Sequence, residues 1–178
     1  MKYRIATLKD AEKIADLHAR SWRKSYRGIF PDSFLDKDVW DDRKACWLKR
    51  LVKPKYNQYV VVVTDNNAIC GFVCAFGNED SNWGTFIDNL HVSSPYKGKG
   101  IGKSLMRMVA KWSMDSFPDE GLYLEVLEDN ITARGFYDAL GATHQETRLW
   151  QPPGSTRKVN DLLYVWKSIE CMGLSLNP

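Results

Sequence analysis

The residues Tyr96-Lys97-Gly98-Lys99-Gly100-Ile101-Gly102-Lys103-Ser104 set three glycines among three lysines. An apolar stretch precedes them and a helical pattern follows. Glycine lacks the Cβ that would hold a ligand away from the backbone, so several N–H groups can converge on one anion. A helix starting there adds unpaired amides and the positive end of its dipole. The chemistry on offer is phosphate binding. A nucleoside-triphosphate loop ending in Gly102-Lys103-Ser104 needs a glycine at position 97, where the chain has Lys97. A dinucleotide fingerprint needs its third glycine at 103 or 105, which are Lys103 and Leu105. Both patterns fail, and a plain glycine turn with solvated lysines stays open on this loop alone.

The elements around the loop must position it. Residues 3 to 7 read as a first strand, and Thr7 and Asp10 have capping-box spacing. Ala11, Ile14, Ala15, His18 and Trp22 then recur at helical intervals until Gly28 and Pro31. A second helix is predicted from Asp41 to about Val52, with Trp47, Leu48 and Leu51 on its apolar face. Tyr59 to Val63 is a β-branched strand. Asp65-Asn66-Asn67 makes a turn, Ile69 to Phe76 the partner strand, Gly77 to Gly84 a loop, and Thr85 to Val92 a further strand. After the glycines, Ile101, Leu105, Met108, Val109 and Trp112 mark a helix that ends at Pro118-Asp119-Glu120-Gly121. Leu122 to Val126 is a strand. Asn130 opens a helix through Leu140, with Gly141 as its cap. Thr143 to Trp150 and Leu162 to Lys167 are the last strands, and Leu174 to Pro178 reads as a loose tail. The order β-α-α-β-β-β-α-β-α-β-β predicts an α/β (α+β) fold, a mixed sheet with helices on both faces.

Composition limits the classes of function. At 178 residues, 44% hydrophobic and 26% charged, the chain reads as a single globular domain with its core over about residues 3–168. A net charge of +3, spread along the chain, gives no reason to expect a nucleic-acid partner. No apolar run is long enough for a membrane span, and Met1 to Thr7 lacks the apolar core of a signal peptide, so a cytoplasmic location is expected. Cys46, Cys70, Cys74 and Cys171 form no CxxC pair. Strand alternation puts Cys70 and Cys74 on one face about 13 Å apart, too far for a disulfide, and free thiols are expected. His18, His91 and His144 have no ligand spacing, so no metal is expected.

Two motifs then agree. Lys97-Gly98-Lys99-Gly100-Ile101-Gly102 resembles the [Q/R]-x-x-G-x-[G/A] acetyl-CoA signature of the GNAT family of N-acetyltransferases, with lysine replacing the usual first residue. Asn130-Ile131-Thr132-Ala133-Arg134-Gly135-Phe136-Tyr137, followed by Leu140-Gly141-Ala142, resembles that family's N-x-x-A-x-x-x-Y-x-x-x-G-[FA] helix. Leu17-His18, Ser21-Trp22-Arg23, Tyr26-Arg27-Gly28-Ile29 and Pro31 are similar to one branch of it. The resemblance implies a mostly antiparallel sheet of about seven strands, splayed so that the pantetheine arm of coenzyme A enters between Phe86–Val92 and Leu122–Val126.

By the same resemblance, Leu90, His91 and Val92 border the arm, with the Leu90 amide a donor to a developing oxyanion. Lys97, Gly98, Lys99, Gly100, Ile101, Gly102 and Lys103 hold the pyrophosphate. Asn130, Ala133, Phe136 and Tyr137 hold the rest. Tyr137 matches the general acid. Glu125 matches a general base, its other reading being a solvent-facing strand residue. Asp88 is a second candidate base, placed by alternation on the face of Leu90 and Val92, with His91 opposite. Trp22, Tyr26, Trp150 and the loop from Pro152 to Lys158 are expected at the acceptor site, though Trp22 also fits a core stripe. The implied activity is acetyl transfer from acetyl-CoA to a primary amine, on a small molecule or a peptide, by direct attack in a ternary complex. A homodimer is possible in this family. The alternative is an acyl-CoA sensor on the same fold without catalysis.

Overall fold

The computed structural model describes residues 1–118, 121–168 and 172. Asp119, Glu120, Cys171 and the tail from Leu174 to Pro178 lie outside the described residues. Seven strands form one sheet in the order β1-β2-β3-β4-β5-β7-β6. They are β1 (Lys2–Ile5), β2 (Gln58–Asp65), β3 (Ala68–Asp80), β4 (Gly84–Val92), β5 (Leu122–Leu127), β6 (Thr143–Trp150) and β7 (Val159–Trp166). All neighbours are antiparallel except β4 and β5. The helices are α1 (Ala11–Ser25), α2 (Val39–Val52), α3 (Ile101–Ser116) and α4 (Ile131–Asp138).

Alternation along the strands divides the core between two faces. Val61, Val63, Val73, Leu122, Leu124 and Val126 pack with α3 and α4. Val60, Val62, Phe72, Cys74 and Phe76 pack with α1 and α2. The entry to α1 follows the capping pattern. Asp10 accepts from the Thr7 N–H at 2.8 Å and takes a bidentate bond from Arg4. The β2–β3 turn puts Asn66 and Asn67 at positive φ, where asparagine is tolerated. Gly141, at φ +80°, closes α4 as expected, while Ala142 N–H reaches back to Tyr137 O at 3.1 Å.

Three differences from the sequence expectation have local causes. A π-helical turn, Phe34–Asp38, precedes α2 and buries Phe34 and Leu35. β3 continues through Gly77 to Asp80; Asn57 holds this extension by donating to Gly77 O at 2.6 Å. A register shift between Val63 and Thr64 of β2 leaves an extra residue on β3 beside Cys70. Cys70 therefore packs on the α3 face and Cys74 on the α1–α2 face, which corrects the expected common face. Both remain free thiols.

Candidate active site

β4 and β5 pair only at Thr85↔Leu122 and Phe86↔Tyr123. The pairing begins where Gly121 O accepts from Thr85 N–H at 3.0 Å. A Cβ on Gly121 would stand 2.7 Å from Trp166 O of β7 and 3.3 Å from Trp83 O, so only glycine fits where β5 begins between its two neighbours. Beyond Phe86 the strands part. A second register shift, between Cys74 and Ala75 of β3, pairs Cys74 with Asn89 and Ala75 with Ile87, leaving Asp88 as the extra residue. The bulge resets the direction of every later peptide. Ser93 N–H donates to Cys70 O on β3 at 2.8 Å. By alternation His91 also faces β3, and the amides and carbonyls of Leu90 and Val92 face the gap. Such main-chain groups require partners.

The bulge also corrects the placement of Asp88. It lies on the α2 side, paired with Arg50, which also donates to Asn89 Oδ1 at 3.1 Å. His91 is opposite Leu90 and Val92, as expected. Its Nδ1 lies 2.8 Å from Ser21 Oγ, and its ring packs on His18 and Phe72. Burial, aided by Lys97 and Arg43, pushes His91 down to about 3. Neither its ring nor its main-chain N–H and C=O face the gap. His18 is fully buried and accepts from the Trp47 indole at 3.0 Å.

The glycine loop lies at one end of the gap. Gly98 and Gly100 adopt φ +76° and +78°, the left-handed region that favours glycine. Gly100 is the N-cap of α3 and brings no side chain to the helix end. The first amide bonded back into the helix is that of Ser104, to Gly100 O at 3.0 Å. The amides of Ile101, Gly102 and Lys103 precede it, the positions a helix leaves for an anion. A Cβ on Gly102 would stand 3.2 Å from Phe136 Cζ, so this glycine lets α4 close over the start of α3. Lys99 lies over the Tyr96 ring at 4.9 Å.

On the β5 side of that same end, Asn130 caps α4 by accepting from Ala133 N–H at 3.3 Å. The Asn130 side chain also lies near Tyr26, which comes from the end of α1. Burial pushes the Tyr26 phenol up to about 12; Asn130 opposes the shift and Asp161 adds to it. Tyr137, 8% exposed, packs edge-on to Trp166. Burial, then the nearby Tyr26, raises its phenol above the ordinary value. Two tyrosines from opposite faces thus come near enough beyond the end of β5 for one to disfavour ionisation of the other.

On the α1–α2 side, Trp22, Tyr26, Phe30 and Trp150 form one aromatic cluster, with Phe30 5.3 Å from Trp22 and 5.7 Å from Trp150. Trp22 belongs both to the packed stripe of α1 and to this aromatic cluster. Glu125 lies on the same face of β5, exposed, and pairs with Arg148 of β6 at 3.0 Å. Asp161, absent from the sequence reading, sits beside them on β7, opposite Leu127 and Arg148. The strand predicted over Leu162 to Lys167 begins one residue after it, and β7 starts earlier, at Val159. Among the described residues no cluster of His, Cys, Asp or Glu is arranged to hold a metal.

The acetyltransferase (GNAT) family model matches residues 19–142, which contain both motifs. The chain belongs to this family. Members are acetyl-CoA-dependent acetyltransferases, and the gap, the free amides of α3 and the Asn130 helix fit that cofactor. A Spermine/spermidine N(1)-acetyltransferase of Bacillus subtilis (strain 168) is 24% identical over 128 residues, 72% of this chain and 78% of that protein. An L-ornithine N5-acetyltransferase of Arabidopsis thaliana is 31% identical over 101 residues, covering 54% of this chain and 44% of that longer protein. Among solved structures, the PaiA N-acetyltransferase of Thermoplasma acidophilum in complex with coenzyme A superposes with TM-score 0.71 at 18% identity, over 92% of this chain and 96% of that one. This GNAT acetyltransferase thus has the seven-strand mixed sheet expected of its family. Among its described residues no helix is long and apolar enough to cross a membrane.

Proposed function

We propose that this acetyltransferase moves an acetyl group to a primary amine of a small molecule by direct attack in a ternary complex. The single observation that carries the reading is the parting of β4 and β5 beside Tyr137, with the backbone of Leu90 and Val92 turned into the opening. Bound acetyl-CoA supplies an activated thioester. The amides of Ile101, Gly102 and Lys103 hold its pyrophosphate, with charge from Lys97, Lys99 and Lys103. The backbone of Leu90 and Val92 holds the pantetheine arm, and the Leu90 amide donates to the oxygen that gains charge. Asn130, Ala133 and Phe136 line the remainder.

An acceptor ammonium has a pKa near ~10 and must lose a proton before it attacks. Glu125, on the acceptor face of β5, takes that proton, directly or through water. Asp88 serves less well because it lies on the α2 side in a mostly buried pair with Arg50, whereas the Glu125–Arg148 pair is more exposed. Tyr137 Oη gives a proton to the departing sulfur; its raised pKa keeps it protonated at neutral pH. Direct attack is supported by the thiols of Cys70 and Cys74, which are buried and pushed up by burial, and so are poor nucleophiles. A small amine as acceptor is supported by the relatives named for spermine, spermidine and ornithine.

The test is a panel of primary amines read by release of free coenzyme A thiol. The reading predicts amine-dependent release. Tight acetyl-CoA binding with no release from any amine would instead favour a non-catalytic acyl-CoA sensor.

A further inference from the structure

Asp161 is an acidic residue of the acceptor face that makes no ion pair among the described residues. It lies on β7, directly across from Leu127 of β5 and Arg148 of β6. Arg148 is opposite it yet engages Glu125 at 3.0 Å and Glu146. Among the described residues no ion pair includes Asp161. Glu125 is diagonal to it across the β5–β7 pair, a separation of about 7–8 Å. Trp150 pairs with Val159, two residues along β7, so it shares the face of Asp161. Tyr26 is close enough for Asp161 to disfavour its ionisation.

We infer that Asp161 binds a second cationic nitrogen of the acceptor, which makes the preferred acceptor a short-chain diamine or polyamine. The inference rests on the reading that this face receives an amine. An acceptor with two amines separated by a short alkyl chain can place one nitrogen at Glu125 and the mouth of the gap, and the other at Asp161. Trp150, on the same face as Asp161, and Tyr26 supply the aromatic surroundings for the alkyl chain. Half-burial and the neighbouring Glu125 push the Asp161 carboxyl up to about 6, opposed by Arg148. At neutral pH it is still mainly ionised, and an arriving ammonium relieves the cost of holding that charge out of water.

The test is calorimetric titration of 1,4-diaminobutane, with butylamine as the single-amine control, into full-length protein saturated with coenzyme A. The diamine should bind at least about tenfold tighter than butylamine. Asp161→Asn, which preserves shape, should remove most of that preference and leave butylamine and coenzyme A affinities unchanged. A variant that keeps the diamine preference, or loses both amines equally, overturns the role of Asp161. In that case thiol release from amines by the wild-type enzyme would still stand. Absence of release from every amine would overturn the acceptor reading and this inference together.

Discussion

Replacing Tyr137 by Phe isolates one hydroxyl. The ring is buried against Trp166 and Phe136, at centroid distances of 6.1 and 5.3 Å, and phenylalanine preserves both contacts. No side-chain hydrogen bond involving the Tyr137 hydroxyl occurs among the described residues, so its removal orphans no protein group. Stability should change by less than about 1 kcal/mol. Coenzyme A affinity should stay within about twofold, because the proposed role of the hydroxyl is to protonate the leaving sulfur and not to hold the coenzyme. What is lost is a positioned acid, worth ~10²–10⁴ in rate, or about 2.7–5.4 kcal/mol of transition-state stabilisation. The assay is thiol release under saturating acetyl-CoA and amine, beside a thermal melt of each protein. A fall in kcat with unchanged melting and unchanged coenzyme affinity is expected. A kcat within about threefold of wild type would remove Tyr137 from the acid role. A comparable loss of coenzyme affinity would make it a binding residue.

Further outcomes follow from the same geometry. Glu125→Gln should lower kcat about 10²-fold near neutral pH, with the deficit shrinking toward pH ~10, where acceptor amines lose their proton unaided; a pH-independent deficit would speak against a base. Gly100→Ala meets no steric obstacle but forces φ +78° on a residue with a Cβ, costing about 1–2 kcal/mol and weakening acetyl-CoA binding. Unchanged stability and affinity would remove the left-handed cap from the account. Burial holds His18 and His91 neutral, well below the ordinary 6.5. The unfolded chain binds these protons and the folded chain does not. Their contribution to stability is therefore full above 6.5 and is lost as pH falls through the window toward about 3. Thermal melting should fall between about pH 7.5 and 5, and a flat profile would contradict the buried neutral pair.

Local chemistry was legible in the sequence wherever one residue type suffices. Gly98, Gly100 and Gly141 stand at positive φ, and Asn130 caps the helix that carries Tyr137, as their types foretell. Thr7 and Asp10 behave likewise. The bulges were not legible. A period of two continues past Asp88 in the sequence, and only pairing with β3 reveals the extra residue that sends its side chain to Arg50. The same blindness put Cys70 and Cys74 on one face. Asp161 falls just outside the strand read from Leu162; its meaning depends on Arg148, Glu125 and Tyr26, brought together from three distant segments. The meeting of Tyr26 with Asn130 and Tyr137 is equally non-local.

The central claim is that the opening between β4 and β5 holds the thioester arm beside Tyr137. A crystal structure with coenzyme A tests it most directly. The account predicts pantetheine hydrogen-bonded to the backbone of Leu90 and Val92, pyrophosphate on the amides of Ile101 to Lys103, and sulfur within about 3–3.5 Å of Tyr137 Oη. Coenzyme A bound elsewhere, or a thiol directed away from Tyr137, would contradict it.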